Sequence, residues 1–391
     1  VGEREIAGKK TPQDSMIRLM KGPSGTKVKI TVSRDGTIIP FDIVRDKIPV
    51  HCVDAAFMIN DTTGYIKLSK FSRNTFQEFS QAADKLREQG MTRLIFDLRD
   101  NTGGYLDQAL LLSNEFLSKG DLVVYMEGLH RSRQDFKADG RGYLKDIHVS
   151  VLIDEGSASS SEIFAGAIQD NDRGVIVGRR SFGKGLVQEP INFTDGSGIR
   201  LTVARFHTPS GRCIQKPYGD DYDYDIYERY FNGEMVSADS MKVDTTAVYY
   251  TKKGRSVYGG GGIIPDVFVP IDTTKASDFF IKCNKKATTM RFASAMFDKY
   301  KSALASIDDF GRLERYFKEI ALDQQFLDFA ARVDGIRPAP GEWEESREYM
   351  MPQINALVGR YSKLDEEAFY RFYLPVDETI KAALENKSVV E

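Results

Sequence analysis

From about residue 48 to 272, short apolar runs of strand character alternate with stretches of helical periodicity, and this alternation restricts the fold more than any other feature of the chain. Residues 64–68 read as strand, 75–89 as a helix stopped by Gly90, and 93–98 as strand again. The glycine turn Asn101-Thr102-Gly103-Gly104 then leads into a helix running through Leu117. Residues 148–153, 160–169 and 174–177 repeat the order as strand, helix and strand, and 198–206 is expected to close the core as a further strand. Strands joined through helices lie parallel in one sheet, so the prediction is an α/β core with helices on its faces.

The flanks differ in pattern. A helix is predicted from Thr11 to Met20, with Thr11 as its cap and Pro12 in its first turn, before Gly22 stops it. Residues 27–32 and 38–44 alternate as two strands around an Asp35-Gly36 turn. Two strands and one helix bury too little apolar area to stand alone, so the numbering is expected to open inside a domain. With Lys21-Gly22-Pro23-Ser24-Gly25-Thr26-Lys27-Val28 at the glycine-bearing turn, residues 1–47 resemble the C-terminal half of a PDZ domain. That resemblance puts the carboxylate-binding loop upstream of Val1. Residues 216–249, rich in tyrosine and acid, read as a surface insertion, and the run Asp220-Asp221-Tyr222-Asp223-Tyr224-Asp225 lacks the glycine and terminal glutamate of an EF-hand loop. It is therefore expected to be a solvated loop rather than a calcium site. Gly259 to Gly262 is expected to be a turn before a last strand. From 273 to 391 the apolar positions follow a helical period, predicting an all-helical region that packs on the core, binds an adaptor or builds a homo-oligomer.

Whole-chain properties narrow the class. A length of 391 residues implies two or three domains. Lys+Arg 54 against Asp+Glu 57, a net charge of -3, offers no basic face for nucleic acid. No apolar run reaches the ~18 residues of a membrane span, and no charged start before an apolar stretch marks a signal peptide. Cys52, Cys213 and Cys283 have no CxxC spacing and are expected to be small apolar residues, with no metal and no cofactor implied.

The chemistry concentrates at Asp154-Glu155-Gly156-Ser157-Ala158-Ser159-Ser160-Ser161-Glu162, where a strand ends and a helix begins. Such junctions hold the active sites of open α/β sheets, and helix N–H groups there favour the anion formed when an acyl group is attacked. A serine before a helix is ordinarily a cap. Ser181-Phe182-Gly183-Lys184-Gly185-Leu186-Val187-Gln188, one strand further on, changes that balance by returning Lys184 to the same sheet edge. A lysine acts as a base only when neutral, so its pKa must fall from about 10.4 toward 7 to 8 by burial, a setting expected from Phe182 and Leu186. Gln188 is placed to hold the amine in line. A Ser-His-Asp arrangement through His207 with Asp97 or Asp154 is the competing reading, against which no Gly-x-Ser-x-Gly elbow is present.

The three stretches Gly156–Ala167, Ser181–Gln188 and Asp97-Leu98-Arg99-Asp100-Asn101-Thr102-Gly103-Gly104 resemble the signature motifs of the C-terminal processing peptidases, also called tail-specific proteases. The likeness runs over residues 1–272 and takes in residues 206–212 and 262–266. It implies a ClpP/crotonase-like core of ββα units over 48–272 and Ser-Lys acyl transfer. Ser159, three places before Glu162, takes the nucleophile position, Lys184 the general base and Gln188 the lysine-orienting residue. The backbone N–H groups of Ser160, Gly103 and Gly104 form the implied oxyanion hole. The resemblance further implies protein or peptide substrates with exposed C-termini and a bacterial periplasm or envelope. A silent PDZ-containing scaffold and an acyl-CoA enzyme of the crotonase fold are the competing classes.

Overall fold

The computed structural model describes residues 1–391 apart from 3, 35, 49, 219–221, 223, 273–276 and 387–391. Asp35 and three of the four aspartates of the 220–225 run thus lie outside the described residues. The chain divides into two compact units, Val1–His51 and Cys52–Glu391.

In the first unit, α1 (Gln13–Met20) precedes an antiparallel pair, β1 (Lys27–Arg34) and β2 (Thr37–Val44). Pro12 rather than Thr11 occupies the N-cap of α1, and no side chain caps it. The expected capping threonine therefore stands one residue too early.

The second unit begins with β3 (Val53–Met58), β4 (Thr63–Leu68), α2 (Thr75–Glu88), β5 (Arg93–Asp97) and α3 (Leu106–Phe116). It continues through β6 (Leu122–Gly128), β7 (Arg131–Lys137), β8 (His148–Ile153), α4 (Ser160–Asp170), β9 (Gly174–Gly178), β10 (Leu186–Asn192) and β11 (Gly198–His207). After α5 (Asp225–Phe231) come the short strands β12 (Val248–Tyr250), β13 (Ser256–Tyr258) and β14 (Val267–Phe268). The rest is helical: α6 (Asp278–Lys285), α7 (Thr288–Leu304), α8 (Phe310–Glu319), α9 (Leu322–Phe329), α10 (Glu342–Gly359), α11 (Glu366–Tyr373) and α12 (Glu378–Glu385).

A six-stranded sheet of order β14-β9-β8-β5-β4-β3 forms the centre, parallel throughout except for the antiparallel β3 edge. Side chains of its strands alternate between two cores. Ile66, Leu94, Phe96, Val151 and Ile176 face one side, where Phe79 of α2, Phe116 of α3 and Phe164 of α4 form an edge-to-face ring cluster around Phe96. Tyr65, Ile95, Leu152, Val175 and Val177 face the other side, against Ile380 and Ala383 of α12. Because both faces are covered, β4, β8 and β9 are buried almost end to end, and even the polar Thr63, Lys67 and Ser150 within them are buried. The C-terminal helices thus have a definite place: α11 and α12 roof the sheet, while α6 to α10 enclose their own core around Phe279, Phe292 and Phe326. No helix among the described residues is long and apolar enough to cross a membrane.

Residues 198–206 depart from expectation. β11 belongs to a separate antiparallel sheet of order β10-β11-β6-β7. Only five residues, Phe193 to Ser197, join β10 to β11, and a connection that short makes a hairpin, since a parallel neighbour needs a crossover of roughly a dozen residues.

Candidate active site

Ser159 stands between β8 and α4 with φ 58° and ψ −114°, a conformation that costs a non-glycine residue about 1–3 kcal/mol. Strain of this size persists only where the surroundings enforce it. Here Ala158 N–H donates to Asn101 O at 3.0 Å, and Ser159 N–H donates to Glu162 Oε2 at 2.8 Å, the glutamate's half of a capping box on α4. With Ile163 N–H donating to Ser159 O at 2.9 Å, the backbone is gripped on both sides of the serine. An elbow of this shape lifts a hydroxyl clear of the sheet edge beside a helix N-terminus.

The four serines of the stretch are not equivalent. Ser157 Oγ donates to Leu98 O at 2.8 Å, Ser160 Oγ to Gly104 O at 3.0 Å, and Ser161 Oγ to Asn101 O at 2.8 Å, and all three residues are buried. Ser159 is half-buried, and its hydroxyl donates to no described residue.

The turn before α3 lies directly against this elbow. A Cβ added at Gly103 would sit 2.8 Å from both Ser159 Cβ and Ser160 N. Gly103 N–H, however, donates to Asn101 Oδ1 at 2.9 Å, so the expected third oxyanion donor is spent on holding the turn. For Gly104 N–H and Ser160 N–H there is no acceptor among the described residues, leaving two backbone donors beside the serine. Gly104 has φ 150°, and an added Cβ would fall 1.9 Å from Phe71 O. Gly104→Ala must therefore displace the turn, and turnover is expected to fall about 10²- to 10³-fold, the usual cost of one oxyanion donor. Steady-state assay of the folded variant checks this; an unchanged kcat would remove Gly104 from the site.

Glu162 connects the elbow to the lysine loop. Its carboxylate is fully buried and accepts from Ser159 N, Lys184 N (2.8 Å), Gly183 N (2.7 Å) and Ser181 Oγ (2.5 Å). Ser159 and Lys184 thus share one carboxylate oxygen through their backbones. Burial pushes the Glu162 carboxyl above its usual range, while the Ser181 hydroxyl and the three N–H groups pull the other way.

The side chain of Lys184 does not occupy the expected apolar setting. It is exposed, and no hydrogen bond joins it to Ser159 or Gln188 among the described residues. The expected flanks are engaged elsewhere: Lys216 Nζ lies 4.3 Å from the centre of the Phe182 ring, and Leu186 is buried as the first residue of β10. Gln188 is exposed and donates from Nε2 to Thr202 Oγ1 at 3.4 Å, across the β10-β11 hairpin. His207 stacks on Tyr125 at 4.7 Å and its Nδ1 meets Gly211 O at 3.2 Å, whereas Asp97 pairs with Lys67 and Arg99 and Asp154 accepts from Asp100 N–H. No Ser-His-Asp chain is assembled from these groups. Among the described residues no cluster of His, Cys, Asp or Glu is placed to hold a metal.

The 216–249 segment is more than surface. Arg229 of α5 donates to Ser181 O at 3.1 Å and Arg180 O at 2.7 Å, and Glu234 joins Arg229 to Arg180 through bonds of 2.6 to 2.9 Å. Gln215 Oε1 accepts from Gly185 N–H at 2.9 Å. These groups brace the lysine loop from behind. Sequence reasoning missed them because no local pattern joins residues so far apart; Glu162, by contrast, carried a visible signal in its Ser-x-x-Glu spacing.

A strained serine at a strand-to-helix elbow, whose hydroxyl donates to no described residue and which lies beside two amides without an acceptor among the described residues, is the kind of site found in serine-dependent acyl-transfer hydrolases. Residues 62–226 match the sequence profile of Peptidase family S41. Over 216 residues the chain is 36% identical to a probable CtpA-like serine protease of Staphylococcus epidermidis, covering 55% of this chain and 43% of that protein. It is also 36% identical over 208 residues to a carboxyl-terminal-processing protease of Synechocystis sp., covering 52% of this chain and 48% of the other. The chain spans about half the length of the curated relatives it matches. Among solved structures, a photosystem II D1 C-terminal processing protease aligns at 26% identity and TM-score 0.41, over 64% of this chain and 57% of that one.

Proposed function

We propose that this protein is a serine endopeptidase that cuts polypeptides near exposed C-termini, with Ser159 as nucleophile and Lys184 as general base. The observation that carries the reading is the elbow: Ser159 alone among its neighbouring serines donates its proton to no described residue, beside the amides of Gly104 and Ser160, which have no acceptor among the described residues. Neutral Lys184 takes the Ser159 proton as Oγ attacks the scissile carbonyl, and the developing oxyanion is met by those two amides. Collapse breaks the C–N bond, Lys184 returns the proton to the leaving amine, and water hydrolyses the acyl-enzyme with the same lysine as base. For this the Lys184 side chain must turn inward. Catalytic contacts are often open without substrate, and a bound polypeptide supplies the desolvation that lowers an amine's pKa.

The envelope setting and recognition by a PDZ half over 1–47 belong to the same proposal, drawn from the motif resemblance. Exposure of Lys184 favours a second reading, a silent binding module. The test is incubation of unfolded casein with the wild-type chain and Lys184→Ala, with and without EDTA. Cleavage by wild type alone, indifferent to EDTA, is expected; binding without cleavage by either would establish the second reading.

A further inference from the structure

We propose that the C-terminal helical region sets the oxyanion turn through Asp377, making Asp377 and Arg99 positioning residues for the acyl transfer proposed above. The inference rests on that reading of the site.

Asp377 is the N-cap of α12, where its Oδ1 accepts from Thr379 N at 3.0 Å and Ile380 N at 3.1 Å. The same carboxylate takes a two-pronged contact from Arg99, Nη1 to Oδ1 at 3.0 Å and Nη2 to Oδ2 at 2.8 Å. Arg99 reaches the other way to Asp97, with Nε at 3.0 and 3.1 Å and Nη2 at 2.6 Å. Lys67 completes a charge-balanced group, donating to Asp97 Oδ1 at 3.3 Å and to Arg99 O at 2.5 Å. Burial alone would push the Asp97 carboxyl up, but Arg99 and then Lys67 outweigh it and hold the group well below the usual carboxylate range. All three charges on the core side are thus fixed by mutual contact.

What matters is where Arg99 stands. It stands two residues beyond the end of β5 and precedes Asp100, whose positive φ of 58° marks a second strained residue, pinned by Asp100 N–H donating to Asp154 Oδ1 at 2.9 Å. Asn101 comes next: its Oδ1 holds Gly103 N–H, its Nδ2 donates to Leu68 O, and its carbonyl accepts from Ala158 N–H and Ser161 Oγ. Gly104 and the nucleophile elbow therefore both hang on the turn from Arg99 to Gly104, whose first residue is clamped to α12. Guanidinium and carboxylate meet in a fixed fork, so the contact specifies orientation as well as distance. Misplacement of a reacting group by an ångström costs about 10²-fold in rate.

The discriminating variant is Asp377→Asn. Asparagine caps a helix about as well as aspartate, so α12 keeps its N-cap while the charge facing Arg99 is lost. Three quantities are read on the full chain: kcat and KM on labelled casein, Ki for a peptidyl boronic acid, which needs the oxyanion donors to form its tetrahedral adduct, and labelling by a fluorophosphonate. Asp377→Asn is expected to lower kcat about 10- to 100-fold, with KM held and boronate Ki raised in parallel. Arg99→Lys, which keeps the charge but not the fork, should do the same, and the double variant should be no worse than either alone. If wild type is labelled but both variants match its kcat and Ki, the helical region is only a roof and the inference falls by itself. A wild type that neither labels nor cleaves overturns the reading beneath it, and this inference with it.

Discussion

Ser159→Ala should reduce cleavage of an unfolded protein by about 10⁴- to 10⁶-fold, the loss typical of removing a serine nucleophile from its catalytic group. The fold should survive, because the Ser159 hydroxyl donates to no described residue and the backbone grip of Glu162 and Asn101 is untouched. Alanine is no happier than serine at φ 58°, so the strain remains. Ser159→Gly should relieve it: glycine reaches this region freely, and the variant is expected to be equally inactive yet more stable than Ser159→Ala by about 1 kcal/mol. The neighbouring serines provide the contrast. Ser160→Ala loses one hydrogen bond to Gly104 O but keeps its backbone donor, so turnover should fall no more than about tenfold. Casein cleavage and thermal melts on the four proteins decide the matter. A Ser159→Ala enzyme that still cuts, or a Ser160→Ala enzyme that is dead, would assign the attack to the wrong hydroxyl.

Much of this site was readable because its determinants are local. The strand-to-helix junctions at Ser159 and Gly103-Gly104 are announced by breakers and by period changes within a few residues, and β8 runs over the range the sequence predicts, His148–Ile153. The serine ambiguity was not readable. Which hydroxyls are spent depends on carbonyls of Leu98, Asn101 and Gly104, more than fifty residues away, brought in by parallel pairing of β5 and β8. The setting of Lys184 fails for a related reason: Phe182 and Leu186 flank it in sequence, but a ring face and a strand position elsewhere claim them. β11 joins a sheet other than the one its sequence suggests, because an alternating strand carries no mark of its partners. The role of 273–391 was invisible too. A helical period shows that one face is apolar, and only the second face of the sheet shows what covers it.

Glu162 is the residue whose removal should be most disruptive after the nucleophile, although it touches no substrate. Glu162→Ala leaves three backbone N–H groups and the Ser181 hydroxyl without an acceptor in a region where the carboxylate is fully buried. Each orphaned group costs about 1–3 kcal/mol, and removing one member of a buried charged network typically costs about 3–5 kcal/mol in all. Glu162→Gln separates stability from chemistry. It keeps the volume and one accepting oxygen but turns an NH₂ toward donors, so the lysine loop and the elbow can no longer share the same anchor. The expected result is a folded protein, destabilised by about 1–3 kcal/mol, with kcat reduced at least 100-fold because Ser159 and Lys184 lose their common reference. Denaturant melts and active-site titration normalise the rate to folded enzyme. If normalised kcat for Glu162→Gln equals that of wild type, the carboxylate is a cap for α4 and nothing more, and the geometry relating serine to lysine must be held by the Arg229–Glu234 brace instead.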